Sequence, residues 1–171
     1  MTDAEKRKRR LCFTGHRPEK LHSDESAVCT VLSNAIDAAI ADGFVTFITG
    51  MARGVDIWAA EIVLARKADN PEIRLICALP HPDFEKKWSA AWQERFTAVL
   101  QQADLVRTIC PAFSMASYQI RNEWMVDHSA RVIAVYNGMP GGTRKTLAYA
   151  KEQQVPVIVL SYGKAINNTV F

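Results

Sequence analysis

The chain has 171 residues, of which 49% are hydrophobic and 23% are charged, and its formal net charge at pH 7 is +3. This length and composition are typical of one compact globular domain. No apolar run approaches the ~20 residues of a membrane-spanning helix, and the charged N-terminus has no apolar segment behind it, so we expect neither a membrane span nor a signal peptide.

The first element in the chain is a basic segment at residues 1–10. It contains five of the 21 basic residues but only two of the 18 acidic ones, which leaves 16 of each sign in the rest of the chain. We predict that residues 1–10 form a flexible basic tail that is exposed to solvent. The alternative is that this tail contacts nucleic acid or another anionic surface.

Beyond the tail, short apolar runs alternate with segments of helical periodicity. The runs predict strands at Leu11–Thr14, Phe44–Thr49, Arg74–Leu79, Leu105–Ile109, Val132–Tyr136 and Val155–Leu160. Apolar residues three and four positions apart predict helices at Ser26–Ala41, Gly54–Lys67, Asp83–Gln101, Ser117–Ser129 and Thr143–Gln153. This order predicts a doubly wound α/β fold in a single domain over residues 11–171, with about six mostly parallel strands and five helices on both faces of the sheet.

The four cysteines, at positions 12, 29, 77 and 110, lack the close spacing of a zinc site or a thioredoxin-type motif. Three of them lie in apolar runs, where a free cysteine behaves as a small hydrophobic residue. We therefore expect a reducing, cytoplasmic location. We also expect no metal site, since nothing in the spacing of His16 and His81 requires one.

Glycine, cationic and polar residues follow the predicted strands directly. Ligands of open parallel sheets bind beyond the carboxyl ends of the strands, where the strand order reverses. The residues that reach this rim include Gly15, His16 and Arg17 after the first strand and Gly50, Ala52, Arg53, Gly54 and Asp56 after the second. Later in the chain they include Arg121 and Asn122 in the fourth helix and Gly141, Gly142 and Thr143 after the fifth strand. We predict that these residues form one ligand site.

The corner from Gly50 to Gly54 has the spacing G-x-x-x-G. It lacks the third glycine of the dinucleotide fingerprint and the Lys-Ser/Thr pair of the P-loop. The free amides at a helix start attract phosphate, and Arg53 adds a guanidinium group beside them. We predict a phosphate site, and the alternative is a tight strand-to-helix turn with a surface arginine. Asp56 would contact a ribose hydroxyl, hold Arg53 or a neighbouring loop, or favour the helix dipole.

A second glycine-rich corner, Pro140–Thr143, precedes the last predicted helix. Thr143 can cap this helix while the first amides face a phosphate, and the alternative is a flexible turn before a capped helix. Arg17, Arg53 and Arg121 would neutralise the phosphate. The candidates for acid or base chemistry are His16, Asp56 and Glu123, although His16 also fits a turn histidine bonded to backbone.

Four aromatic residues, Phe84, Trp88, Trp92 and Phe96, are spaced four residues apart within the third predicted helix. Helical spacing of this kind favours a core stripe or a dimer surface over a platform for stacking bases. A homodimer is therefore the oligomer that we expect if the chain self-associates.

The segments FTGHRP, TGMARGVDIWAAE, YQIRNEWMVD and GGT, taken together, resemble the YpsA-like family of the SLOG superfamily (Smf/DprA and LOG relatives). The resemblance extends from about Leu11 to Leu160. It implies a Rossmann-like three-layer αβα domain with a nucleotide-type ligand and no required cofactor. LOG members are nucleoside 5′-monophosphate phosphoribohydrolases, but this chain has Thr146 where their acid stands, so hydrolysis would need the carboxylate of Asp56, Glu61 or Glu123.

The expected function is therefore binding of a nucleotide or nucleotide-derived phosphoester, as a sensor or as an N-glycosidic or phosphoester hydrolase. The alternative is a DprA-like module that contacts nucleic acid or protein through the basic tail. Nucleic acid is the less favoured partner, because DNA affinity depends on many phosphate contacts and the chain beyond residue 10 is electrically neutral.

Overall fold

A computed structural model describes residues 1–162 of the chain and contains one six-stranded sheet in which every pair of neighbours is parallel. The strands are β1 (Arg10–Gly15), β2 (Thr46–Thr49), β3 (Arg74–Leu79), β4 (Leu105–Thr108), β5 (Arg131–Val135) and β6 (Val157–Leu160). The helices in these residues are α1 (Asp3–Arg7), α2 (Pro18–Leu21), α3 (Glu25–Ala41), α4 (Val55–Asp69), α5 (Ala90–Gln102), α6 (Ser117–Asp127) and α7 (Gly142–Glu152). The predicted doubly wound fold is confirmed.

The strand order across the sheet is β4-β3-β2-β1-β5-β6. The chain therefore moves outward from β1 to β4 and then returns to place β5 on the other side of β1. Gly15 at the end of β1 is in register with Val135 at the end of β5. The reversal of strand order thus lies between β1 and β5, and parallel sheets bind ligands beyond the carboxyl ends of strands at such a point.

Each face of the sheet has its own hydrophobic core. Because successive strand residues point to opposite faces, Leu11 and Phe13 of β1 belong to the core that contains the buried residues of α3, α4 and α5. Cys12, between them, belongs to the core formed with α6 and α7. This alternation produces the three layers, with the sheet in the middle.

The third predicted helix begins later than expected. Asp83 has a positive φ of 63°, and residues 82–87 form turns with hydrogen bonds to the third residue back, such as Lys86 N–H to the Asp83 carbonyl. Ser89 then caps α5 by accepting a bond from the Trp92 amide. Phe84 and Trp88 therefore lie in a turn before the helix, so the prediction that all four aromatics share one helix was wrong.

The structure also contains two short helices that were not predicted. One is α1, within the predicted tail, where Thr2 and Glu5 form a capping box. The tail also ends one residue earlier than predicted, since Arg10 belongs to β1. The other is α2, which starts at Pro18, a residue suited to a first helical position. Residues 163–171 of the predicted domain lie outside the described range.

No helix within residues 1–162 has both the length and the apolar character that crossing a membrane requires.

Candidate functional site

A cavity of about 230 Å³ lies at the carboxyl ends of the strands, where the strand order reverses. Most of the predicted ligand-binding residues line it, namely Gly15, His16, Arg17, Ala52, Arg53, Asp56, Arg121, Asn122, Gly142 and Thr143. The three remaining glycines stand next to this lining. Gly50 lies against the Arg121 side chain, and Gly54 and Gly141 directly precede α4 and α7. The structure therefore brings the two glycine-rich corners to one place.

The N-termini of α4 and α7 both lie at this cavity, and within the described part of the chain no side chain caps either of them. The prediction that Thr143 caps the last helix was therefore wrong, since Gly141 holds the N-cap position and Thr143 lies inside the helix. Thr2, Asp24 and Ser89 cap α1, α3 and α5, whereas α2 and α6 also lack a side-chain cap among residues 1–162. The first amides of an uncapped helix carry a partial positive charge and need an acceptor. Two such sets of amides at one cavity make it suited to an anion.

Gly50 and Gly54 are required by close contacts rather than by the turn alone. A Cβ atom on Gly50 would lie 2.8 Å from Arg121 Nη1 and 3.0 Å from Asp56 Oδ2. Gly54 has a φ of +91°, and a Cβ there would lie 2.8 Å from Pro18 Cδ. The glycines thus let Arg121 and Asp56 approach the end of β2, and let α2 pack against the start of α4.

Asp56 is a buried carboxylic acid in the first turn of α4, with 6% of its surface exposed. Its Oδ2 accepts a hydrogen bond of 3.2 Å from the Ala52 amide, whereas Oδ1 has no hydrogen-bond partner among the described residues. Burial raises the pKa of Asp56 to about 6, against the opposing effects of the Arg121 charge and the Ala52 amide. Asp56 can therefore exchange a proton near neutral pH.

Arg121 connects α6 to the backbone at the ends of β2 and β3. Its guanidinium group donates to the carbonyl of Gly50 at the end of β2 and, at 3.4 Å, to the carbonyl of Ala78 in β3. Its Nε donates to Asn122 Oδ1 at 2.8 Å. Burial lowers the pKa of Arg121 and the Asp56 charge raises it. The side chain is thus held mainly by protein groups, and it adds positive charge at the cavity wall.

Arg53 pairs with Glu19 of α2, with 2.5 Å between Nη1 and Oε1. The suggestion that Asp56 holds Arg53 was therefore wrong, because α2, which the sequence did not predict, supplies the carboxylate. The cavity is lined by four cationic side chains, Arg17, Lys20, Arg53 and Arg121, and by one described carboxylate, that of Asp56. With Glu19 paired to Arg53 and the Asp56 charge acting on Arg121, Arg17 and Lys20 still leave an excess of positive charge, which favours an anionic ligand.

His16 follows β1 directly and is 4% exposed. Its ring lies 5.4 Å from that of Tyr136 between centroids, and its Nε2 is a buried atom without a hydrogen-bond partner in residues 1–162. Burial lowers the pKa of His16, a hydrogen bond with Asn137 raises it, and the Lys20 charge lowers it. His16 therefore lines the cavity with a buried ring nitrogen, Nε2, that lacks a partner among the described residues.

The other candidate carboxylates lie away from the cavity lining. Glu123 accepts a bond of 3.4 Å from the Gln119 side chain on α6, and Glu61 on α4 pairs with Arg95 at 2.7 Å. Thr146, at the position of the LOG acid, donates its hydroxyl to the Gly142 carbonyl at 2.9 Å. Of the three carboxylates considered for hydrolysis, the structure places Asp56 alone in the lining.

Sequence reasoning missed several residues of this cavity. Lys20 lies in the unpredicted helix α2, and a Cβ on Gly141 would be 3.4 Å from its Nζ. Phe84 and Trp88 line the cavity while also packing against the core, as their helical spacing predicted, and Tyr118, at the rim position that follows the fourth strand, lines it too. Their positions in the sequence could have indicated this, since Phe84 and Trp88 closely follow β3 and Tyr118 stands at the start of α6.

An all-parallel sheet with helices on both faces, and a cavity at the reversal of strand order, defines a Rossmann-like α/β protein. Comparison with protein families agrees with this fold class and also identifies the family. The chain belongs to the YpsA family, described as the YspA SLOG family, whose model matches residues 11–159.

Individual relatives extend this comparison. The chain is 37% identical over 118 residues to the uncharacterized SPbeta prophage-derived protein YoqJ of Bacillus subtilis, which covers 62% of this chain and 69% of that protein. It is 28% identical over 153 residues to a UPF0398 protein of Halalkalibacterium halodurans, covering 84% of this chain and 81% of the relative.

Two solved structures share the fold. DNA processing protein A from Helicobacter pylori matches 94% of this chain and 67% of its own, with a TM-score of 0.64 and 21% identity. DNA processing protein A from Streptococcus pneumoniae matches 93% of this chain with a TM-score of 0.67 and 16% identity, and the chain spans about half of that protein, 52%.

Proposed function

We propose that this protein binds a nucleotide or a nucleotide-derived phosphoester in the cavity at the β1/β5 reversal. The observation that carries the proposal is the meeting of two uncapped helix N-termini, those of α4 and α7, with the side chains of Arg17, Lys20 and Arg53. Backbone amides and guanidinium groups together are the usual protein partners of phosphate. The phosphate would accept bonds from amides near Gly54 and Gly142.

Two buried polar atoms support a ligand with further hydrogen-bonding groups. Asp56 Oδ1 and His16 Nε2 belong to residues that line the cavity, and neither atom has a partner in the described chain. A buried polar atom without a partner costs about 1–3 kcal/mol, so a ligand hydroxyl that bonds Asp56 would recover part of this cost. A ribose ring supplies such hydroxyls next to its phosphate.

The bound ligand would be either sensed or hydrolysed. For hydrolysis, Asp56 is the candidate base, since it lines the cavity and its pKa of about 6 lies near neutral pH. It would accept a proton from the water that attacks the glycosidic carbon or the phosphorus, while Arg121 stabilises the carboxylate. For sensing, the same contacts would hold the ligand without product release.

The test is isothermal titration with ribose 5-phosphate and with nucleoside monophosphates. Arg53→Ala should weaken binding at least ten-fold, because it removes a cation from the cavity. Arg66→Ala is the matched control, since Arg66 forms an exposed pair with Asp37 outside the cavity and its loss should leave affinity unchanged. Equal effects of the two substitutions, or no binding of any phosphoester to the wild-type protein, would contradict the proposal.

Whether the protein turns the ligand over is tested separately. Prolonged incubation with nucleoside monophosphates, followed by chromatography, should give free base or phosphate if the protein is a hydrolase. Asp56→Asn should then abolish product while the variant remains folded. An intact ligand after binding has been shown would assign the protein to sensing.

A second candidate function is binding of single-stranded nucleic acid. The observation that favours it is the fold shared with DNA processing protein A of Helicobacter pylori, a protein whose structure was reported for its single-stranded DNA binding mode. The basic residues of α1 precede β1 and so lie at the amino end of the strand, opposite to the cavity. Binding through them would therefore use a different surface from that of the phosphoester.

Fluorescence anisotropy with labelled oligothymidylate over a range of salt concentrations distinguishes the two functions. If the basic segment binds DNA, Lys6→Ala/Lys8→Ala should weaken binding and reduce its salt dependence, because both side chains are exposed. Arg53→Ala should then have no effect. Loss of oligonucleotide binding in Arg53→Ala alone would place the nucleic acid in the cavity instead.

A further inference from the structure

The cavity has two kinds of lining, and most of each comes from a different part of the sheet. Most of the cationic and amide groups follow β1, β2 and β5, as Arg17, Arg53 and Gly142 show, while Arg121 lies on α6. Besides the buried Phe13 of β1, three aromatic side chains line the same cavity, Phe84, Trp88 and Tyr118, which follow β3 or begin α6. Since β3 lies beyond β2 in the sheet, the aromatic groups enter from the side away from β5. We call these three residues the aromatic wall.

The ring of Phe84 and that of Trp88 are held in place by other rings. Phe84 and Trp88 meet edge to face with 5.1 Å between centroids, and Phe96 of α5 contacts both, at 5.5 Å and 5.6 Å. Such contacts fix ring orientation. These rings therefore need little reordering when a ligand binds, so binding loses little side-chain entropy.

Tyr118 is positioned through His81. His81 is buried and lies edge to face with Tyr118, 5.2 Å between centroids, and with Phe84, 6.1 Å. Ser117 donates its hydroxyl hydrogen to the Ser114 carbonyl at 2.7 Å, so the 2.7 Å contact between His81 Nδ1 and Ser117 Oγ requires His81 to be the donor. This chain of bonds joins the loop after β3 to the start of α6, and so connects the two parts of the wall.

The size of the cavity restricts the ligand. Its volume of about 230 Å³ lies below the range of roughly 300–1,000 Å³ found for sites of drug-sized ligands. A single nucleotide, with part of it reaching solvent, fits this size better than a dinucleotide. The cation-rich and aromatic linings together match the phosphate and the base of one nucleotide.

We infer that the aromatic wall stacks the base of a mononucleotide whose phosphate occupies the amide and arginine cradle, an inference that rests on the proposed function. Aromatic faces stack with every base and carry little sequence information. The site would therefore accept different bases and select a phosphorylated nucleoside over a phosphorylated sugar. Trp88 and Tyr118 would supply the stacking surface.

The experiment compares the affinities of ribose 5-phosphate, AMP, CMP, GMP and UMP by isothermal titration. We expect each nucleotide to bind at least ten-fold more tightly than ribose 5-phosphate. Trp88→Leu and, separately, Tyr118→Leu should remove most of this advantage while leaving the affinity for ribose 5-phosphate unchanged. Tyr118 is 37% exposed, so its replacement keeps the test valid if Trp88→Leu fails to fold.

Trp92→Leu is the matched control for Trp88→Leu. Trp92 packs on Trp58, 6.2 Å between centroids, and under the Arg95 guanidinium group, outside the cavity lining. Its replacement should leave the nucleotide advantage intact.

The possible outcomes distinguish failure of the stacking inference from failure of the proposed function. Ribose 5-phosphate binding as tightly as the nucleotides would overturn the stacking inference and leave the phosphate site in place. An equal loss of affinity for ribose 5-phosphate and nucleotides in Tyr118→Leu would also overturn it, since the wall would then be structural. Tighter binding of NAD than of AMP would contradict the mononucleotide size. No binding of any of these compounds would overturn the proposed function itself.

Discussion

Replacing Asp56 with asparagine should stabilise the protein above pH 6 and have a much smaller effect at pH 4. The carboxyl group is 6% exposed, and burial raises its pKa from the ordinary value of 3.8 to about 6. Between these two pH values the folded state holds the proton more tightly than the unfolded state. The free energy of unfolding therefore falls as pH rises through this window.

The magnitude follows from the two pKa values. At about 1.36 kcal/mol for each pH unit between them, the ionised carboxylate costs the folded protein about 3 kcal/mol above pH 6. For a chain of this size that corresponds to a difference of roughly 6–12 °C in Tm. Asparagine has the shape of the protonated acid, so its oxygen can accept from the Ala52 amide while its NH₂ group replaces Oδ1, the oxygen without a partner.

The assay is thermal and urea unfolding of the wild-type and Asp56→Asn proteins at half-unit steps from pH 4 to pH 8. The difference between the two profiles isolates Asp56, because His16 titrates in both proteins. We expect the stability advantage of the variant to grow through the window and to level off above pH 6. A difference that does not change with pH, or a wild-type protein that is the more stable one at pH 8, would refute the reasoning.

Three further predictions concern the rim. Gly50→Ala should destabilise the fold by about 1–3 kcal/mol in urea unfolding, because its Cβ would meet Arg121 and Asp56. Gly142→Ala, whose Cβ would have its nearest contact at 4.0 Å, should cost far less, and equal losses of stability would contradict this prediction. Arg121→Leu should cost about 3–5 kcal/mol, because the buried Asp56 loses the positive charge that acts on it and the carbonyls of Gly50 and Ala78 lose their donor. An unchanged urea midpoint would contradict this prediction. His16→Gln should reduce the loss of stability on acidification below pH 6.5. Burial lowers the pKa of His16 in the folded state, so the unfolded state binds the proton first as the pH falls. Parallel stability profiles of the wild-type and variant proteins against pH would contradict this prediction.

The convergence of the loops could be predicted from the sequence because it follows from topology. In an all-parallel sheet the loops after successive strands meet at one edge, so locating the strands was enough to bring Gly50 and Gly142 to the same rim. Small errors in strand ends, such as β2 starting at Thr46 rather than Phe44, do not change which rim a loop reaches.

The individual contacts of the site could not be predicted, because they depend on short elements without a periodic pattern. Helix α2 has four residues, too few to show amphipathic spacing, yet it supplies Glu19 to Arg53 and Lys20 to the cavity. The turn at residues 82–87 likewise depends on a left-handed Asp83. It moves Phe84 and Trp88 out of a helix and into the cavity.

The most direct test of the phosphate site is an NMR titration of ¹⁵N-labelled protein with AMP. Amides that bond a phosphate change their chemical shifts strongly, so the account predicts the largest changes at Gly54, Val55, Gly142 and Thr143, at the N-termini of α4 and α7. Changes confined to residues 1–9, or saturable binding that leaves these four amides unshifted, would contradict it.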